Sequence, residues 1–266
     1  MRPTLKDDTE LIIKEFIRQK VVESGGKGVV VGLSGGLDSA VVAVLSSQAI
    51  GPEKVLAIYM PSDTSSAKDL EDAKELAEIF GMEFKVVRIS STVSAFSEFL
   101  PSAERKDLMG NVMTRCRMIV LFHHANLMGR VVMGTGNKSE LLVGYFTKFG
   151  DGGSDFLPIG DLYKSEVREL ARRIGIPDHI VEKPPSAGLW AGQTDEGEMG
   201  VSYEDLDRIL LGFELGLSNQ EIVERTSIDL ELVENVWSKY LATVHKRKMP
   251  LIPKIGIRTL GLDWRE

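Results

Sequence analysis

Val29-Val30-Val31-Gly32-Leu33-Ser34-Gly35-Gly36-Leu37-Asp38-Ser39 is the stretch that decides the fold. Three β-branched residues in a row read as a short buried strand, and Ser-Gly-Gly as the turn that follows. From Leu37 the apolar residues Ala40, Val41, Val44 and Leu45 fall in helical phase until Gly51-Pro52 stops them. A strand, a glycine turn and a helix together form an anion cradle. Glycines let backbone N–H groups converge, and the helix N-terminus adds uncapped donors and the positive end of its dipole. The hydroxyls of Ser34 and Ser39 add further donors. The competing reading is an ordinary turn capped by Asp38. The string lacks the GxxxxGK[ST] lysine, and its glycine spacing does not fit GxGxxG. It has Asp38 in the first helical turn instead. A carboxylate beside phosphates is unfavourable unless a divalent cation lies between them, so Asp38 implies metal-bound phosphate, with Mg²⁺ the natural ion.

Working outward, residues 8–23 place Leu11, Ile12, Ile13, Phe16 and Ile17 in one helical stripe that ends at Gly25-Gly26. Val55 to Tyr59 reads as a second strand, 66–80 as a helix, Phe84 to Ile89 as a third strand, 106–128 as the longest helix and Val131 to Met133 as a further strand. Buried strands separated by helices predict an α/β fold, a mostly parallel sheet with helices on both faces. Ligands of such sheets bind beyond the carboxyl ends of the strands, where the glycine turns at 32–36 and 134–136 fall. The C-terminal part is helical, over 202–215, 218–225 and 229–246. Ser202-x-x-Asp205 and Ser218-x-x-Glu221 mark two of its helix starts, the second as a capping box. Residues 144–160 and 183–200 are rich in Gly, Asp and Ser and long for plain connections, and read either as surface loops or as loops that order around substrate. With no repeat, low-complexity tract or linker, residues 1–266 read as a single domain with a basic tail over about 245–266.

Composition removes several classes. The chain has 266 residues, 43% hydrophobic and 27% charged, which suits a packed enzyme and neither a disordered nor a fibrous protein. A formal net charge of −7 argues against a broad nucleic-acid surface. Residues 215–240 do have a helix-turn-helix pattern, but the second helix opens with Asp229, Glu231 and Glu234, which would face phosphates. No apolar run approaches the length of a membrane helix and no signal segment is visible, so a soluble, cytoplasmic protein without a membrane partner is expected. Cys116 is the only cysteine. With Val112, Ile119 and His123 it is read on the apolar stripe of helix 106–128, as a small buried hydrophobe rather than a nucleophile. Arg115 is read as offset from that stripe.

The sequence also carries a resemblance. SGGLDS, at Ser34 to Ser39, resembles the signature of the N-type ATP pyrophosphatases, or PP-loop enzymes, which split ATP between its α and β phosphates. Met133-Gly134-Thr135-Gly136-Asn137-Lys138-Ser139-Glu140 follows, then Gly144 to Asp155, Leu162-Tyr163-Lys164-Ser165-Glu166-Val167, Lys183-Pro184-Pro185-Ser186-Ala187-Gly188-Leu189 and His245-Lys246-Arg247-Lys248. In that order and spacing, from about residue 8 to 248, they resemble the ammonia-dependent NAD synthetases. The resemblance implies an adenine nucleotide alpha hydrolase-like, Rossmann-like sheet and ATP-dependent amidation of deamido-NAD through an acyl adenylate. It implies that Gly32, Leu33, Ser34, Gly35, Gly36, Leu37, Asp38 and Ser39, with Thr135, Lys164 and Ser186, contact ATP. Asp38 and Glu140 would hold Mg²⁺, and Asp38, Glu140 and Lys164 would be the catalytic set. Arg115, Lys148, Asp155, His245 and Lys246 match positions that bind deamido-NAD. A homodimer is also implied, joined through the long helix 106–128 unless the Met and Leu residues of that helix belong to the core instead. One departure stands out: many members have Thr-Asp-His-x-x-Glu where this chain has Thr135-Gly136-Asn137-Lys138-Ser139-Glu140.

The residues add their own reading of these positions. Glu140 follows a glycine turn after a strand, as Asp38 does, so two carboxylates from neighbouring strand ends can face one metal. From Lys239 onward there are seven Lys or Arg against two acids, a basic tail suited to covering a phosphate-rich ligand or, alternatively, a solvated helix end. A single cysteine on an apolar stripe predicts free ammonia, not glutamine, as the nitrogen donor. Other PP-loop ligases, such as guanylate synthesis, and a nucleotide-sensing DNA-binding protein are the alternatives.

Overall fold

The computed structural model describes residues 1–190 and 192–259. The first half runs α1 (Thr9–Glu23), β1 (Val29–Gly32), α2 (Leu37–Ile50), β2 (Val55–Tyr59), α3 (Ala67–Ile79), β3 (Glu83–Val86), α4 (Ser90–Ser97), α5 (Lys106–Met128) and β4 (Val131–Met133). After it come α6 (Lys138–Val143), α7 (Lys164–Arg173), α8 (Asp178–Val181) and α9 (Asp195–Met199). The helical C-terminal part holds α10 (Tyr203–Glu214), α11 (Asn219–Thr226) and α12 (Leu230–Ala242).

The four strands are all parallel, in the order β3-β2-β1-β4. Residues alternate between faces as a pleated strand requires. Val29, Val31, Val55, Ala57, Val131 and Met133 pack with α1, α2, α7 and α8. Val30, Leu56, Ile58 and Val132 pack with α5, around Met113, Cys116 and Ala125. Helices on both faces explain why these strands read as unbroken apolar runs. A further core, built from α10, α11 and α12 with Val143 of α6, lies beside the sheet. The expected α/β class is therefore observed.

The chain proceeds from β1 to β2 on one side, while β4 lies on the other. That makes the gap between β1 and β4 the switch point, where parallel sheets open a ligand crevice. Their register is level, Val29 with Val131 and Val31 with Met133, so the turns after the two strands emerge side by side. The outer edge of β4 is covered by the following loop. The Asp155 carboxylate accepts from Val132 N–H at 2.7 Å, and Asp155 N–H donates to Val132 O at 3.0 Å. Asp155 thus satisfies both groups of an edge residue that would otherwise be unpaired.

Four details differ from the sequence reading, the first being that on α1 Leu11 and Ile12 are exposed while Ile13, Ile17 and Val21 are buried. β3 begins at Glu83 and ends at Val86, because Val87 and Ile89 still bond to Tyr59 and Pro61 carbonyls but the chain is already turning into α4. α4 was not expected: its Ser-Ser-Thr-Val start has weak helix propensity. On α5 the buried line is Met113, Cys116, His124 and Ala125, whereas Ile119 is 58% exposed and His123 is exposed. The stripe is rotated by about one position because the face is set by packing on Val30, Leu56 and Val132, which one-dimensional periodicity does not show. Cys116 is buried as expected. Both serine caps form, Ser202 on Asp205 N–H and Ser218 in a full capping box.

Among the described residues no helix is long and apolar enough to cross a membrane. The tail is held at its start: Arg247 donates to the carbonyls of Leu141, Leu142 and Tyr240, capping the end of α6. Residues 260–266 of the tail lie outside the described residues. Ile17, fully buried where α1 meets α2, tests the packing on this face. Ile17→Ala should lower the unfolding free energy by about 2–5 kcal/mol in urea denaturation, whereas a loss below about 0.5 kcal/mol would show that α1 is not part of the core.

Candidate active site

The site grows from the two turns at the switch point. α2 is preceded by Gly36 at the N-cap, which adopts an extended conformation and has no side chain to offer, so among the described residues no side chain caps this helix. The reading of Asp38 as a cap is therefore set aside. Its carboxylate points instead to Lys164 Nζ, with which it is in direct contact, and to Asn137 Nδ2 at 3.2 Å. Ser34 and Ser39 turn toward each other, 3.0 Å between hydroxyls, and Ser39 donates to Gly36 O at 2.9 Å. They brace the loop from within, and leave the N–H groups of the first turn of α2 as the donors that face outward.

On the β4 side, Asn137 caps α6. Its Oδ1 accepts from Glu140 N–H at 3.0 Å, and its own N–H donates to the Glu140 carboxylate at 3.3 Å. The fully buried Asn137 thus reaches both acids, capping the helix that carries Glu140 while hydrogen-bonding Asp38. Lys138 turns the other way, to Asp161 at 3.1 Å and Glu214 at 2.8 Å, with its ammonium over the Tyr163 ring. It ties α6 to α10, away from the acids at the centre.

Lys164 is the first residue of α7 and its side chain is 2% exposed. Besides Asp38, its ammonium meets Glu140 at 3.4 Å and lies over the Tyr203 ring. The Tyr203 hydroxyl donates to Glu140 at 3.1 Å and lies 3.3 Å from Asp195, whose other oxygen accepts from Ala187 N–H at 3.0 Å. Asp38, Glu140 and Asp195 therefore converge on one lysine and one phenol. Burial pushes the Glu140 carboxyl up to about 7; Lys164 works against the shift, and Asp38 and Asp195 add to it. Burial also raises Asp195. For Lys164 burial works downward, but Asp38 and Glu140 outweigh it and the group stays a cation. Below these groups Asp207 receives Ser139 Oγ and Ser165 N–H, while Ser139 accepts from Lys164 N–H at 3.0 Å, which pins the start of α7.

Asp38, Glu140, Lys164 and Asp195 line a cavity of about 500 Å³ beyond the ends of β1, β2 and β4. Of the residues singled out from the sequence, Gly32 to Ser34, Gly36 to Ser39, Thr135, Glu140, Lys164, Ser186 and Lys246 line it. Gly35 is not among the lining residues, and Ser186 Oγ donates to Gln193 O within its own loop at 2.7 Å. A second cluster forms where Arg115 donates to Lys148 O at 3.3 Å, Lys148 to His245 O at 2.9 Å, and Lys246 to the carbonyls of Gly144 and Phe146. Asp155 stands apart from it on the β4 edge. Sequence reasoning gave no role to Asn137, although it stands within the Met133 to Glu140 string, and missed Tyr203, Asp195 and Asp207, which no local motif marks. It also missed Arg117, which lines the cavity and donates to Met60 O at 3.2 Å.

A family model described as NAD synthase matches residues 11–250. The chain belongs to the NAD synthase family. It is accordingly an enzyme, an ATP-using ligase. It is 52% identical over 251 residues to the NH(3)-dependent NAD(+) synthetase of Pyrococcus horikoshii, covering 94% of this chain and 95% of the relative. Among solved structures, NMN synthetase from Francisella tularensis superposes with a TM-score of 0.83 at 36% identity, over 93% of this chain and 98% of that one. NH3-dependent NAD synthetase from Campylobacter jejuni gives 0.79 at 34% identity, with the same coverage.

Cys116 offers no chemistry to this site. It lies in the α5–sheet core, and burial pushes its thiol up, against a smaller opposing effect of Arg117. Cys116→Ser should keep full turnover and lose about 1 kcal/mol of stability from the buried hydroxyl. Loss of activity in a folded Cys116→Ser enzyme would contradict this placement.

Proposed function

We propose that the chain amidates deamido-NAD with ammonia, consuming ATP and releasing NAD, AMP and pyrophosphate. The observation that carries the reading is the uncapped start of α2 facing the same cavity as the Asp38–Lys164–Glu140 cluster, in a chain matched along nearly its whole length by NH(3)-dependent NAD(+) synthetases. A carboxylate becomes an amide only if its oxygen is first made a leaving group. The nicotinate carboxylate attacks the α-phosphorus, the α–β bond breaks, and pyrophosphate leaves. Ammonia then attacks the acyl carbon, loses a proton, and AMP departs. The substrate supplies its own nucleophile, so the protein's part is positioning and charge stabilisation.

In this reading the N–H groups of residues 36–39 receive phosphate oxygens, and Lys164 balances charge as pyrophosphate leaves. Asp38 and Glu140 fit a divalent cation. Both reach the same ammonium, and the elevated Glu140 carboxyl marks a buried acid whose charge is incompletely balanced. Held by Asp38 and Glu140, Mg²⁺ would supply Lewis-acid neutralisation of phosphate charge. Thr135 and Ser186 suit further ATP contacts. Arg115, Lys148, His245 and Lys246 cluster where a dinucleotide phosphate could be received, with Asp155 nearest the β4 edge. We also infer a homodimer through α5, whose Leu108, Ile119 and Leu127 are 38%, 58% and 72% exposed.

The test combines acceptors and nitrogen donors. With Mg·ATP and ammonium, deamido-NAD should give NAD, AMP and pyrophosphate in equal amounts, ahead of nicotinate mononucleotide and xanthylate. Ammonia-free glutamine should give no NAD above background. Preference for another acceptor, or equal rates from glutamine after enzymatic removal of stray ammonia, would overturn the assignment.

A further inference from the structure

Lys183 lies at the start of the loop that carries Ser186, and none of the roles above uses it. Its ammonium has three protons and three acceptors: Asp69 Oδ1 at 2.5 Å, Asp72 Oδ2 at 2.8 Å and the carbonyl of Gly35 at 3.1 Å. Asp69 and Asp72 belong to α3. Asp72 is 1% exposed, so the pair is anchored in the protein rather than loose on its surface. Burial works to lower the Lys183 ammonium, and the two acids more than restore it.

Gly35 is held from a second direction. Its φ is +79°, and a Cβ there would lie 2.4 Å from Asp69 O, so the phosphate turn presses against the first turn of α3. All peptide bonds in the described residues are trans. In a trans peptide the C=O and the following N–H point opposite ways. Tying the Gly35 C=O to Lys183, which itself lines the cavity, therefore turns the Gly36 N–H the opposite way, where it donates to the Ser34 hydroxyl at 3.3 Å beside the uncapped first turn of α2. A flip of this one peptide would place a carbonyl oxygen where an anion is to bind.

We infer that Lys183 is a positioning residue: together with Asp69 and Asp72 it locks the Gly35–Gly36 peptide so that the loop presents N–H groups, not a carbonyl, to the ATP phosphates. It does so without itself touching phosphate, since all three of its donors are engaged. The inference rests on the reading of residues 32–39 as the phosphate loop. It also gives the Lys-Pro-Pro-Ser segment a task at its first residue, linking the loop that carries Ser186 to the phosphate turn.

The opposite role, a lysine that binds phosphate directly, predicts a different sign in one experiment. Steady-state KM for ATP and for deamido-NAD, with the melting temperature as a folding control, is measured for Lys183→Met, Lys183→Arg, Asp72→Asn, Asp69→Asn and Gly35→Ala. The lock predicts that Lys183→Met raises KM for ATP roughly tenfold or more, the usual effect of losing a charge-assisted hydrogen bond, with little change for deamido-NAD. Lys183→Arg should restore part of the loss. Asp72→Asn, or Asp69→Asn if that variant does not fold, should raise KM for ATP in the same direction. A fall in KM for ATP in the aspartate variants would overturn the proposal, because freeing the lysine would then have strengthened phosphate binding. An unchanged KM in Lys183→Met with a raised one in Gly35→Ala would overturn it while leaving the phosphate loop in place. Unchanged values in both would remove the loop reading itself.

Discussion

A buried ammonium at the positive end of a helix is the constraint on which this structure turns. Lys164 begins α7, where the helix dipole opposes a cation, and its side chain is almost wholly removed from water. It is tolerable there only because Asp38 and Glu140 touch it and Asp195 stands behind Tyr203. Conversely, burial pushes the Glu140 and Asp195 carboxyls up, and Lys164 works against the shift of both. The arrangement requires β1 and β4 to be neighbours with level ends, since Asp38 follows one and Glu140 the other. Sheet order and chemistry are therefore a single design element.

Around that centre the remaining contacts act at one remove. Asn137 joins the two acids, Asp207 with Ser139 fixes the start of α7, and Lys183 with α3 fixes the phosphate turn. Tyr203 connects Glu140 to Asp195, and Asp195 in turn holds Ala187 in the loop with Ser186. The position of that loop and the two acids are thus linked through a hydroxyl and a carboxylate.

Much of this was legible in the sequence where it depends on local rules. The Val29 to Ser39 string contains its strand, turn and helix in eleven consecutive residues, and the serine caps at 202 and 218 announce themselves by spacing. The buried face of α5 was less legible, because Val112 and Ile119 are as apolar as Met113 and only the packing partners decide between them. Asp195, Tyr203 and Asp207 were invisible for another reason. Each is one acid or phenol among many in a helical stretch, and its importance arises from a contact across the fold, as with Tyr203 and Glu140, 63 positions apart. The Asn137 departure looked like a loss from the motif, yet the amide serves as both acceptor for α6 and donor to Asp38.

The central claim is that Asp38 and Glu140 act as one unit about a shared charge. A double-mutant cycle on kcat/KM for ATP, with Asp38→Asn, Glu140→Gln and the double variant, tests it most directly. Each single substitution should cost roughly 100-fold, as loss of a metal-holding group commonly does. If the acids form one centre, the double variant should be little worse than the poorer single one. Losses that simply multiply in the double variant would contradict the account, because they would mean that the two carboxylates serve independent sites.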